Sequence, residues 1–155
     1  MNGGGRAILL DANLLLLAVV GRFDPTLVGR KRLDEYAPEH FDLLEHVIVP
    51  YSRNLTTPHL LAEVNNLSDQ CVPKPRHRAF RKFIEVEVIP FLDECWTPAA
   101  ELCPTDAFQR LGLADAAICQ LADEQTYVLS ADAELCSVLW GRGVNAQNFN
   151  HLRDG

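Results

Sequence analysis

No apolar run in this chain reaches the roughly 20 residues that span a bilayer. The longest, Leu14–Val20, follows directly on Asp11 and Asn13. No basic segment leads into a cleavable apolar stretch, and Asn2–Gly5 reads as a small, polar, frayed lead-in. Cys-x-x-Cys is absent, and the five cysteines stand singly at 71, 95, 103, 119 and 136. A zinc ribbon and a disulfide framework are therefore both excluded as readings. Cys103 and Cys119 fall in apolar helical pattern, where a reduced thiol behaves as a small hydrophobe. There is no internal repeat and no low-complexity tract. These absences set the expectation of a soluble, cytoplasmic protein with no membrane partner. At 155 residues and 48% hydrophobic, residues 1–155 suit one globular domain.

A surplus of positive charge is also missing. The net charge of −7 argues against indiscriminate polyanion binding. Yet eight of the fourteen Lys and Arg residues fall in two blocks. One is Arg30-Lys31-Arg32. The other comprises Lys74, Arg76, Arg78, Arg81 and Lys82, interleaved with Pro73, Pro75 and His77. Such blocks hold a phosphate backbone locally, or are simply solvated surface.

What is present is alternation of strand and helix. Residues 6–11 read as a buried strand, and Leu14–Val20 as a helix broken by Gly21 through Pro25. Leu33 and Tyr36 suit a short anchored helix, and Phe41, Leu43 and Leu44 a further one over Glu39–His46. Val47–Val49 suggests a second strand. Thr57-Pro58 starts a helix to about Leu67, with Thr as N-cap and Pro in the first position. A helix over Arg76–Ile84 is followed by a third strand candidate, Val86–Pro90. Thr97-Pro98 opens a short helix to about Cys103, and a longer one covers Leu113–Glu124. Then come a strand at Thr126–Ser130, a helix at Ala133–Trp140 and a last strand within Val144–Phe149. This order predicts an α/β fold: three layers, α/β/α, around a mainly parallel sheet. Ligands of such sheets bind beyond the carboxyl ends of the strands.

Four acids bear on that edge. Asp11 ends the first strand and Asp132 stands just past the fourth; each also suits a helix cap. Glu63 borders the apolar stripe Leu60–Val64–Leu67, where a snorkelling acid is the plainer reading. Asp115 lies four after Leu111 and three before Ile118, pointing with the apolar stripe among small alanines. A carboxylate there is costly unless paired, and a bound cation is one partner that pairs it. Clustered carboxylates repel and bind protons more tightly unless positive charge sits among them. An oxygen-only set suits Mg²⁺ or Mn²⁺ rather than zinc. Such ions lower the pKa of bound water and stabilise a leaving oxygen in phosphodiester hydrolysis.

Leu10-Asp11-Ala12-Asn13, Glu63 after Thr57-Pro58, Gly112-Leu113-Ala114-Asp115-Ala116 and Ser130-Ala131-Asp132, in this order over essentially the whole chain, resemble the PIN-domain ribonucleases. These include the VapC-type toxins of bacterial toxin–antitoxin pairs. The resemblance implies a PIN-like fold, Mg²⁺ or Mn²⁺ as cofactor, and endonucleolytic cleavage of RNA. It makes Asp11, Glu63, Asp115 and Asp132 the catalytic and metal-binding acids. Asn13 and Ser130 become the polar neighbours that orient carboxylates and water, and Glu134 stands near a further acid of some relatives. Asn148-Phe149-Asn150-His151 resembles the family's last strand, whose polar residues border the pocket. Within this picture Lys74, Arg76, Arg78, Arg81 and Lys82 are the expected RNA contacts. An antitoxin would be a separate chain, and a homodimer is a further expectation. Gly21–His46 is longer than its counterpart in compact toxins. The alternative is a non-catalytic PIN-fold RNA-binding or adaptor module. Asp11-x-Asn13 departs from the Asp-x-Asp of haloacid dehalogenase phosphatases, and the acidic pair of a receiver domain is not apparent.

Overall fold

The computed structural model describes residues 6–155, so the lead-in expected over 1–5 lies outside the described residues. The fold is α/β, three-layered, with a five-stranded, all-parallel sheet among the described residues. Its strands are β1 (Ala7–Leu10), β2 (Arg53–Thr56), β3 (Asp93–Glu94), β4 (Thr126–Ser130) and β5 (Ala146–Asn148), in the order β3-β2-β1-β4-β5. β1 is buried along its whole length because it pairs on both sides, with Leu9 opposite both Leu55 and Val128. Central parallel strands read as unbroken apolar runs for this reason. From β1 the chain steps outward through β2 and β3, then returns to β4 and β5 on the other side. The carboxyl ends of β1 and β4 thus flank the point where the winding reverses, the crevice where open parallel sheets bind ligands.

The first helix, α1 (Ala12–Phe23), is longer than the sequence suggests. It passes through Gly21, where a break was expected, and stops only at Asp24-Pro25. A mid-helix glycine costs about 1 kcal/mol relative to alanine. Here it lets α1 approach α2 (Pro38–Ile48) closely, since a Cβ on Gly21 would lie 2.4 Å from the Phe41 ring. α1 also packs against α3 (Pro58–Ser68), which starts as expected with the Leu60 N–H donating to the Thr57 hydroxyl at 3.1 Å.

Two expected strands are helical. Val47 and Ile48 form the last turn of α2, because Leu44 and Ile48 continue one buried helical face. Val86–Val88 belongs to a π-helical turn, Ile84–Val88, that extends α4 (His77–Phe83), and Ile89–Phe91 closes in a 3₁₀ turn. Phe80, Ile84 and Val88 recur every four residues toward the core, so helical spacing overrides β-branched composition. The true second and third strands, β2 and β3, have little apolar content: in β2 only Leu55 and Thr56 are buried, and β3 is two exposed acids.

The remaining elements are α5 (Ala99–Leu102), α6 (Asp106–Leu111), α7 (Leu113–Leu121), α8 (Ala133–Gly141) and α9 (Phe149–Asp154); α6 and α9 were not foreseen. The expected helix around Leu33 and Tyr36 is a single 3₁₀ turn, Lys31–Leu33, though both anchors are buried. Cys119 is buried as expected, whereas Cys103, just past α5, is exposed. No helix among the described residues is long and apolar enough to cross a membrane.

Candidate functional site

Asp11 sits at the end of β1 and is 3% exposed. Its carboxylate serves two elements at once. Oδ1 accepts the Leu14 N–H at 2.9 Å and so caps α1. Oδ2 accepts the Ser130 hydroxyl at 2.5 Å and the Ala131 N–H at 2.9 Å, which ties the end of β1 to the end of β4. The Ser130 oxygen in turn accepts the Asp132 N–H at 2.9 Å. Burial pushes the Asp11 pKa up, the bonds from Ser130, Leu14 and Ala131 pull it back, and the Asp132 charge adds to the rise.

Asp132 caps α8, with Oδ1 accepting the Glu134 N–H at 2.8 Å and the Leu135 N–H at 3.2 Å. The cap reading of both strand-end acids therefore holds, and it is compatible with a site. Each cap uses one carboxylate edge and fixes the side chain at the mouth of the crevice.

Asp115 differs. Its helix begins at Leu113, after Gly112, so Asp115 lies inside the first turn and is not the cap. Gly112 has φ 91° and ψ −178°, a conformation essentially reserved for glycine, and it sets the sharp turn from α6 into α7. The half-buried Asp115 carboxylate makes no hydrogen bond among the described residues. Burial, then the charges of Asp11, Asp132, Glu63 and Glu134, push its pKa to about 7. The other three acids picked out in the sequence, Asp11, Glu63 and Asp132, together with Glu134, are thus within electrostatic reach of Asp115. Glu63 is exposed on α3, which touches α7. Among the described residues, no three His, Cys, Asp or Glu side chains are drawn together as a ready ligand set for one ion.

Asn13 makes no hydrogen bond to the carboxylates. It lines a cavity of about 730 Å³ together with Lys31, Arg32, Leu33, Asp34, Glu35, Tyr36 and Gln70. Tyr36 links this cavity to the acids. Its pKa is raised by burial first, then by the charges of Glu35 and Asp11. Its hydroxyl is buried without a hydrogen bond of ordinary geometry, and Arg153 lies over its ring at 5.4 Å. Neither Tyr36 nor Lys31-Arg32 was singled out for the acidic site. The signal that was available is the basic block followed by two large apolar anchors. Asn148 is buried at the end of β5, and the Asn150 amide donates to the Ala131 carbonyl at 3.3 Å.

The block from Lys74 to Lys82 is largely neutralised within the fold. Arg76 pairs with Asp24 at 2.6 Å and lies over the Phe23 ring, holding the Asp24 pKa down to about 2. Arg81 pairs with Asp69 at 3.2 Å, and Lys82 with Glu85 at 3.1 Å. Lys74 and Arg78 make no ion pair among the described residues.

Comparison with protein-family models, curated proteins and solved structures finds no match for this chain.

Proposed function

We propose that this protein is a metal-dependent phosphodiesterase acting on RNA, an endoribonuclease whose chemistry is centred on Asp115 and Asp11. The observation that carries the reading is Asp115: a half-buried carboxylate, without a hydrogen bond, in the field of four other acids and titrating at about 7. A group held in that state is either protonated at neutral pH or waiting for a cation. The donor set fits Mg²⁺ or Mn²⁺. Mg²⁺ keeps several of its waters and is held by one or two carboxylates, so it needs no cage of three side chains.

Asp115 would hold such an ion together with Asp11, whose two oxygens keep their bonds from Leu14, Ser130 and Ala131, with Glu63, Asp132 and Glu134 acting through its waters. When bound, the ion would supply a deprotonated water and charge stabilisation at the phosphate. Ser130 fixes the Asp11 carboxylate by its hydroxyl donation, and the Ala131 N–H does the same from the backbone. The toxin role, a separate antitoxin and a homodimer belong to this reading as extensions of the resemblance. A non-catalytic RNA-binding module is the second reading, and the engagement of both Asp11 oxygens by Leu14, Ser130 and Ala131 favours it.

Incubation of purified protein with single-stranded RNA and DNA, with and without Mn²⁺, tests the first reading. Metal-dependent cutting of RNA that Asp115→Asn abolishes supports it. RNA binding without cutting by the wild-type chain establishes the module instead.

A further inference from the structure

The reading of the acids as a hydrolytic site leaves open what holds the substrate. The acids themselves repel a phosphate backbone, and the block from Lys74 to Lys82 is mostly engaged by Asp24, Asp69 and Glu85. The turn between Gly29 and Tyr36 has the opposite character. Arg30, Lys31 and Arg32 are exposed and make no ion pair among the described residues.

This turn is built, not loose. The Gly29 N–H donates to the Leu33 carbonyl at 3.1 Å, the Leu33 N–H to Arg30 at 2.9 Å and the Asp34 N–H to Lys31 at 3.0 Å. Leu33 and Tyr36, 1% and 3% exposed, root it in the core. Lys31 has φ 50°, the one non-glycine at positive φ among the described residues. A left-handed lysine is strained, and glycine or asparagine would fit better. Such strain concentrates where a side chain is needed for binding. Lys31 and Arg32 line the cavity of about 730 Å³ shared with Asn13, two residues past Asp11. Gln70, just past the end of α3, lines the same cavity. Asp34 and Glu35 share that wall, and Lys31 and Arg32 are the two cations among its described lining residues.

We propose that Lys31 and Arg32 form the phosphate-holding arm of the acidic site, seating the backbone of a single-stranded RNA in the cavity beside Asn13 while a neighbouring phosphodiester lies at Asp115. This rests on the hydrolytic reading of the acids. Arg32 supplies a planar, two-pronged donor and Lys31 a point charge. The amides of Asn13 and Gln70 lie in the same cavity and offer both donors and acceptors to the strand.

The test compares Lys31→Ala/Arg32→Ala with Arg6→Ala/Arg53→Ala, which removes two exposed cations at the amino ends of β1 and β2. Mn²⁺-dependent cleavage of a short single-stranded RNA gives KM and kcat. Binding of the same RNA to chains that also carry Asp115→Asn gives affinity and its salt dependence. The expected result is RNA affinity at least about tenfold weaker for the 31/32 pair, with kcat within about threefold of wild type and a salt slope lower by about 1.4. The 6/53 pair stays near wild type. Lys31→Gly binds RNA more weakly while melting no lower than wild type. Unchanged RNA affinity in the 31/32 pair, an equal loss in the 6/53 pair, or a loss of kcat at constant KM overturns the proposal and leaves the nuclease reading standing. A wild-type chain that neither binds nor cuts RNA overturns both.

Discussion

The acids at the strand ends and the acids on the helices all bear on the charge of Asp115 or are Asp115 itself, but they are held in opposite ways. Asp11 and Asp132 between them accept five hydrogen bonds, from Leu14, Ser130, Ala131, Glu134 and Leu135. Asp115 and Glu63 accept none among the described residues. The first pair therefore belongs to the framework as well as to the site. The second pair is reserved, its charge uncompensated by the chain itself. A single substitution should then separate the two roles, because removing a framework acid costs stability and removing a reserved acid costs only chemistry.

The largest effect expected is on cleavage. Asp115→Asn removes a metal-binding oxygen and lowers the rate of RNA hydrolysis by at least about a hundredfold, a loss of roughly 3 kcal/mol in the transition state. Cleavage within a few-fold of wild type would show that Asp115 is not the reserved acid the comparison requires. Next is Asp11→Ala, which leaves the Leu14 and Ala131 N–H groups and the Ser130 hydroxyl without their acceptor. Urea melts at pH 5 should record a loss of about 3 kcal/mol, from the cap and the two further bonds.

Acidity separates the two kinds further. Asp115 titrates at about 7 in the folded chain, against an ordinary value of 3.8. The folded state holds its proton more tightly, so below pH about 4 the residue costs nothing, and stability falls as pH rises through about 7. The full shift corresponds to about 4 kcal/mol, and water at the half-buried carboxylate reduces it to about 1–2 kcal/mol. Asp115→Asn should therefore melt higher than wild type at pH 8 and equally at pH 4, and millimolar Mn²⁺ should close the gap by stabilising the wild type. A gap that does not change with pH would mean that Asp115 carries no excess charge penalty.

Smaller still, Ser130→Ala removes one donor to Asp11 and the acceptor of the Asp132 N–H, for a cost of about 1–2 kcal/mol in the same urea melts. Least of all, Glu63→Gln should leave stability within about 0.5 kcal/mol, since the residue is exposed. Besides any effect on cleavage, it shifts the Asp115 titration, whose midpoint falls as one repelling charge is lost. A carboxyl NMR titration reads that directly.

Much of this arrangement was legible beforehand because its determinants are local. The run Ala7–Leu10 ending in Asp11, and Thr126–Ser130 followed by Asp132, announce strands with acids at their ends, and Thr57-Pro58 announces a helix. Asp115 was readable as an acid on an apolar stripe, and Glu63 as lying at its edge. What misled was composition without period. Val47–Val49 and Val86–Pro90 are β-branched but complete helical faces begun by Leu44 and Phe80. β2 escaped notice because its burial comes from neighbouring strands and not from its own apolar content. The block from Lys74 to Lys82 looked like a phosphate surface because its partners, Asp24 and Asp69, lie up to 52 residues away in sequence. The segment from Gly21 to His46 offered in sequence only a basic block that could be phosphate-holding or merely solvated, because Leu33 and Tyr36 signal that something is buried, not what they bury against.

By itself, then, the sequence determined the α/β alternation, the caps and the acids at the ends of β1 and β4, since hydrogen bonding and apolar spacing over a few residues suffice for each. Only the tertiary structure decided that β1 and β4 lie side by side, that Asp115 comes within electrostatic reach of Asp11, Asp132 and Glu63, and that Lys31 and Arg32 stand at the same cavity as Asn13. Those outcomes depend on which surfaces pack together across the sheet, and local periodicity says that a face is buried without saying against what.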